Sequence, residues 1–477
     1  MSNISNMSYR ENKLAKMAGR AGKIMILLLL LAGSADLRAQ MSQSLYFMDR
    51  IPQTGLLNPA HQQNHDLFIG LPMISTLNFN AGTNFARFSD MVFKHPQYDS
   101  LITFMHPDAD PSAFTSILRT SNRISPDLYA GFISIGLRRG TSYFSLNIAD
   151  RALLRTTLPE DFILFALKGN EQFVGRTLDF SDLGVEMTYY REYALGWSAT
   201  VNERLDIGGR AKLLFGKANI SLGGSKMNLF TDPGTYNISL ESEFSLDFSL
   251  PVAVVKDEDG KNGGIRSHSD RDDYRLRNFF FNNSNAGVAV DLGVIYRLSD
   301  KTKLFGSLTD LGFINWKGDV HNYNMENNFV YEGFDFSQGT GSGDHLLDSV
   351  WQLLQVDETK SSYMRRLPAR IYLGATYEFH PLINLGLLGR SELYHNRIEQ
   401  AVTLSANILA SRWLSTSLSW SAMNRSFTNF GMGMSFSGRI FNFYIVSDNI
   451  IANFIPDRTR NLNLWFGANL VFGHGGK

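Results

Sequence analysis

Long segments in which apolar residues alternate one by one with polar or small ones constrain this chain more than any other feature. Leu414, Leu418, Trp420 and Ala422 alternate with Ser415, Ser417, Ser419 and Ser421, and Phe430, Met432, Met434 and Phe436 with Asn429, Gly431, Gly433 and Ser435. A period of two is the strand period, because successive side chains of an extended chain point to opposite faces. Over 127–139 the odd positions Tyr129, Ile133, Ile135 and Leu137 form an apolar face, with Phe132 the exception on the even one. After a Gly140-Thr141 turn, Phe144, Leu146 and Ile148 lie opposite Tyr143, Ser145 and Asn147, so the pair reads as a hairpin. Alternation alone suits a soluble sandwich as well as a membrane wall.

Three features choose the wall. Many of the segments run roughly 10 to 14 residues, whereas strands in soluble sheets average about 5 to 6 and spanning strands need about 9 to 11. Tight turns (140–141, 202–204, 299–301, 380–382, 411–412, 438–439) alternate with long connections (82–126, 156–182, 251–285, 318–366). That is the rhythm of short periplasmic turns and long outer loops. The last segment sets Leu464, Phe466, Ala468, Leu470 and Phe472 opposite Asn463, Gly467 and Asn469, ahead of the tail 473–477. The expected fold is all-β: a transmembrane antiparallel β-barrel of about 14 strands, with 12 to 16 allowed. The stretches 226–230 and 236–250, either side of Asp232-Pro233-Gly234, read as further membrane strands or as a hairpin standing outside.

Composition narrows the function. The 477 residues hold 45 Lys plus Arg and 45 Asp plus Glu, a net charge of zero, which disfavours nucleic acid as a partner. Charged residues are 19% and aromatic ones 12%, too apolar for disorder. The absence of cysteine removes disulfides, thiolate metal sites and cysteine nucleophiles together.

Arg20 and Lys23 precede an apolar run over 24–32, followed by small residues and Leu37-Arg38-Ala39. This is a secretory signal peptide, residues 1–39, with cleavage expected near Ala39. The run is too short to cross a bilayer as a helix.

On the barrel itself, residues 183–201 carry an apolar odd face broken by Arg191. A lipid-facing Arg costs about 2 to 4 kcal/mol at the midplane, so it belongs near an interface or beside a bulge. The inward face is rich in small polar residues and carries Glu186, Glu192, Arg210, Lys212, Asp291, Arg370, Glu378, Arg390 and Glu392, the candidate lumen-site residues. Their chemistry suits bracing of the lumen, a gate or a ligand site. If a hairpin pairs Phe379 with Ile383, Arg370 falls opposite Glu392 and Tyr372 opposite Arg390, and an Arg370-to-Glu392 contact is expected. Short helices are expected over 159–168, with Pro at the first turn and Gly169 after the end, and over 344–355, whose apolar stripe suits packing over the barrel mouth.

Enzyme chemistry is not expected. No GxSxG, Walker A, dinucleotide or HExxH motif is present, and the His residues, His61, His65, His95 and His106 among them, are scattered. Metal: none; cofactors: none. The loop carboxylates Asp108, Asp110, Asp270, Asp272 and Asp273 lack EF-hand spacing.

Asn58-Pro59-Ala60, just before the first strand, resembles the N-terminal signature of FadL-like fatty-acid transporter barrels and of related barrels in gliding, type IX secreting Gram-negative bacteria. With IGLPMISTLNF (69–79), YREYALGWSATV (190–201), GGRAKLLFGKANIS (208–221), SLTDLGFINW (307–316) and LPARIYLGATYEF (367–379), the chain resembles an uncharacterised outer-membrane family of those bacteria. The resemblance implies an N-terminal hatch, residues 40–65, entering from the periplasmic side a barrel formed by 66–477 and gating a lumen site. No ligand motif beyond Asn58, Pro59 and Ala60 matches.

The expected function is a passive outer-membrane channel or binding barrel for small compounds, hydrophobic ones included. The expected partners are outer-membrane lipid and a small hydrophobic ligand. The alternative is a structural or assembly partner of a secretion or gliding machine, with secretion-machine proteins as partners and a closed lumen.

Overall fold

The computed structural model describes residues 43–63, 65–95, 97–104, 106, 108–250, 252–256, 262–267, 281–331, 358–394, 397–423, 426–454 and 459–473. The expected leader and the expected helix over 344–355 lie outside them.

Fourteen antiparallel strands close on themselves. They are β1 (Leu67–Gly70 resuming as Thr76–Gly82), β2 (Asp127–Arg139), β3 (Ser142–Pro159), β4 (Gly184–Asn202), β5 (Leu205–Thr231), β6 (Asn285–Ser299) and β7 (Thr302–Trp316), followed by β8 (Ala369–His380), β9 (Ile383–Tyr394), β10 (Arg397–Ile408), β11 (Leu414–Met423), β12 (Ser426–Ser437), β13 (Phe441–Ser447) and β14 (Asn461–Phe472). β14 pairs with both halves of β1, Val471 opposite Phe68 and Leu464 opposite Phe79, so no edge is left open. Tight turns gather at one end of the barrel, the turn end, and the longer connections at the other, the loop end. No helix among the described residues is long and apolar enough to cross a membrane.

The wall is apolar outside and largely polar inside. Leu195, Trp197, Leu213, Leu292, Leu404, Leu418 and Phe430 are exposed, while Ser417, Ser421, Asn429 and Ser435 are buried in the lumen. Such a face is stable only against lipid. One strand departs from the expected alternation: a bulge between Gly131 and Ile133 turns Tyr129 inward, although Ile133 and Leu137 face out. One extra residue shifts every later side chain to the other face, which also explains Phe132.

β5 is 27 residues long. At about 3.3 Å per residue it far exceeds a membrane core of about 30 Å. Its first half pairs with β6 and its second half with Ile238–Ser249, which pairs in turn with Val320–Tyr331. The stretches around Asp232-Pro233-Gly234 thus form a hairpin beyond the wall and add no spanning strand. The helix Glu160–Lys168 starts after Pro159 and stops at Gly169, whose φ of 70° suits a residue without a side chain. On the outer face Arg191 is neutralised by its cross-strand neighbour Asp150 (Nε to Oδ1, 2.6 Å), beneath the ring of Phe132.

Candidate functional site

The N-terminal segment 43–63 lies inside the barrel. Two short 3-10 turns, Ser44–Phe47 and Pro52–Leu56, make it compact enough to fit. Its apolar side chains Leu45, Tyr46, Phe47, Met48, Ile51 and Leu57 cluster with wall residues Tyr372, Leu388, Tyr444, Val446 and Trp465. Burying each is worth about 1.5 to 3 kcal/mol. Polar contacts set the register. Gln53 exchanges amide hydrogen bonds with Asn469 (2.7 and 3.1 Å) and donates to Ser75 O (3.0 Å). Asn58 donates to the Tyr46 hydroxyl (2.9 Å) and accepts from Ala60 N (3.0 Å). The Asn58-Pro59 backbone lies against Gly208 and Gly293, where an added Cβ would sit 2.2 Å from Pro59 O and 2.1 Å from Asn58 Oδ1. At the innermost end, Asp448 accepts Gln43 N (2.7 Å), Ser44 N (2.9 Å) and the Ser44 hydroxyl (2.6 Å). Burial pushes the Asp448 carboxyl above its ordinary range, against these hydrogen bonds, which favour the ionised form.

Next to the segment, toward the loop end, a layer of charge crosses the lumen. Asp310 receives Arg151 (2.7 Å), Lys212 (2.6 Å) and Arg370 (2.5 Å). Arg370 also reaches Glu392 (2.9 Å) and Asp127 (3.2 Å). Asp291 holds Lys212 (2.8 Å) and Arg210 (3.1 Å), Arg155 reaches Glu392 (3.0 Å), and Arg390 also bonds Glu392. Charges withdrawn from water persist only when paired in this way. Asp310 takes its place through a bulge: Thr309 and Asp310 share the position opposite Asp291, with Asp310 at φ 62°. Further toward the loop end Leu153, Tyr190, Leu214, Ile314, Trp316 and Leu367 form a second apolar cluster.

At the turn end a basin of about 840 Å³ leads up to Tyr46, Phe47 and Asn58. Between segment and wall, beside Gln53, Gln63 and Arg210, a cavity of about 30 Å³ is the size of a water molecule.

Of the nine lumen residues singled out from sequence, Glu192, Arg210, Lys212, Asp291, Arg370, Arg390 and Glu392 meet in the charged layer. Arg370 lies opposite Glu392 and Tyr372 opposite Arg390, although His380, and not Phe379, faces Ile383 across a bulge. Glu378 lines the turn-end basin and Glu186 stands beside Tyr394, both apart from the layer. Sequence reasoning missed Asp127, Arg151, Arg155, Asp310 and Asp448, which lie at a strand start, beyond the recognised half of a hairpin, in a bulge and after a strand end. For Arg151 and Arg155 the signal was the inward parity of β3, on which Arg151 follows Asn147 and Ala149; Asp127, Asp310 and Asp448 lie on other elements.

Three residues that looked scattered also meet: His95, His106 and Asp108, with ligand-type atoms within 4.8 Å of one another. His95 Nδ1 accepts from Gln97 N and Tyr98 N, which leaves the ring proton on Nε2, facing Asp108 Oδ2 at 3.0 Å. A metal-ligating His has the reverse arrangement, its second nitrogen donating. In this geometry the trio braces its loop.

The sequence of this barrel, whose lumen holds residues 43–63 and buried ion pairs, finds a match among protein families. The model of DUF5723, a family of unknown function, matches residues 59–448. The chain belongs to the DUF5723 family. The match starts within Asn58-Pro59-Ala60 and ends on Asp448, so the DUF5723 region holds both the glycine-docked turn and the innermost acceptor. No curated protein matches it. Solved structures similar to this DUF5723 chain include the Ralstonia pickettii toluene transporter TbuX (8% identity, 89% of this chain and 94% of that one, TM-score 0.41). The Pseudomonas putida toluene transporter TodX (9%, 92% and 98%, 0.40) and a Pseudomonas aeruginosa FadL homologue (8%, 89% and 94%, 0.39) are others.

Proposed function

We propose that the protein is an outer-membrane channel or binding barrel for small compounds, hydrophobic ones included, closed at rest by its N-terminal segment. One observation carries the reading: where the segment sits, the lumen wall carries an apolar group, Leu388, Tyr444, Val446 and Trp465, and the segment's own apolar side chains cover it. Lumen faces of membrane barrels are ordinarily polar. A small apolar compound competes with Leu45, Phe47, Met48 and Ile51 for that wall. The segment joins no strand ladder, so its withdrawal breaks no wall pairing, and the basin supplies space at the turn end. Export behind a leader cleaved near Ala39 belongs to the same reading, as does a non-enzymatic role.

A second reading, a structural partner in a secretion or gliding machine, has the charged layer in its favour. Its ion pairs tie β2 through β9 together across the lumen, and an apolar solute crossing it meets buried charge throughout. Planar-bilayer conductance of the refolded mature protein, with and without residues 40–65, separates the two. Conductance that rises on removing the segment supports the gate. Silence from both, in protein shown to be folded, overturns it in favour of the structural partner.

A further inference from the structure

We propose that the lumen binds a small monovalent anion at Arg390, where the N-terminal segment meets the charged layer. Glu392 is the sole carboxylate in contact with Arg390 among the described residues, and it already serves Arg370 and Arg155. Three guanidinium groups therefore converge on one carboxylate. Arg370 has Asp127 and Asp310 as further partners, and Arg155 has Asp127 at 3.9 Å. Arg390 has none. The residue is 1% exposed, yet Nε and Nη1 meet no acceptor. A buried guanidinium leaving two N–H groups unpaired is costly, and an anion satisfies donors and charge at once.

The neighbours fit the same ligand. Tyr372, directly across the β8–β9 pair, is fully buried with an unpartnered hydroxyl. On the other side Ala401 pairs with Arg390 and faces inward, a buried methyl group beside the arginine. The next inward pair along these strands is Leu388 with Thr403, and Thr403 bonds Gln43 of the segment, whose side-chain NH₂ is also unpartnered. The free groups are donors, or in Tyr372 a hydroxyl able to donate, so the site selects an acceptor carrying negative charge and rejects a cation.

The inference goes beyond the gating role and is tested without it. Thermal unfolding of the full-length protein in detergent is followed in chloride, bromide or formate, against gluconate at matched ionic strength. A bound anion raises Tm in proportion to the logarithm of its concentration once the site saturates. The expected result is a rise in the small anions, absent in Arg390→Gln and in Ala401→Met, which keeps the charge and sets a long side chain beside it. A rise in chloride but not formate, or the reverse, identifies halide or carboxylate as the preferred form. Equal Tm in chloride and gluconate, or an undiminished rise in both variants, overturns the proposal. If Arg390→Gln does not fold, Ala401→Met decides alone. Conductance plays no part in the readout, so failure here leaves the gate standing, and failure of the gate leaves the anion site standing.

Discussion

Ser44 is bound twice to one oxygen of Asp448, through its hydroxyl at 2.6 Å and its amide at 2.9 Å, across 404 residues of sequence. The pair pins the innermost part of the N-terminal segment to the point where β13 leaves the wall.

Asp448→Ala removes three acceptor contacts and leaves Ser44 with Ser419 (2.6 Å). Hydrogen bonds to a charged group contribute about 1.5 to 3 kcal/mol, so the 43–48 amides should exchange roughly 10- to 100-fold faster. Hydrogen exchange by mass spectrometry checks this against β9 and β10, whose rates should not move. Unchanged exchange at 43–48 would remove Asp448 from its role.

The same carboxyl gives the docking a pH dependence. Its folded-state pKa lies above the ordinary 3.8, so its share of stability is complete below that value and is lost as pH rises through the folded value. Protection of 43–48 should therefore be greater in mild acid than at neutral pH. Asp448→Asn mimics the protonated form and should hold the segment with the pH dependence gone.

Gly293→Val places a side chain where Asn58 Oδ1 and Pro59 sit, while its Cβ points into the lumen and leaves the β5–β6 ladder intact. The segment should be expelled from a folded barrel. Because the chain has no cysteine, a Gln53→Cys, Asn469→Cys pair reports docking cleanly. Cross-linking should be efficient in the parent and fall at least several-fold with Gly293→Val.

Arg370→Met should be far more damaging than Arg365→Met. Arg370 is buried among Asp127, Asp310 and Glu392, and removing one partner of a buried ion cluster costs about 3 to 5 kcal/mol. Arg365 is half-buried against Asp247 at 2.6 Å, and such pairs contribute about 1 kcal/mol or less. Urea midpoints in detergent should separate the variants accordingly. Equal losses would mean that the charged layer does not brace the barrel.

Much of the wall was legible in the residues, because a strand's two faces are written in alternate positions. Ser415 to Ala422 reads as one polar and one apolar face with no help from its neighbours. The Arg370–Glu392 contact was legible too, since hairpin register is arithmetic once the turn is placed. Tyr129 was not: a bulge at Gly131 costs one residue and leaves no mark in composition, yet it reverses a face. Trp465 and Val471 sit inward on β14, apolar residues on the polar side: Trp465 packs against the segment and stacks on Tyr129, and Val471 packs against Phe68 and Tyr143.

The sequence by itself determined the membrane wall, its strand period and the chemistry of each face, because those depend on residues one or two apart. The tertiary structure decided what lies inside. The meeting of Ser44 with Asp448, of Arg151 with Asp310 and of Pro59 with Gly208 joins positions far apart in the chain. No local pattern carries such contacts, because they exist only once closure of the barrel has brought opposite walls and the N-terminal segment into one lumen.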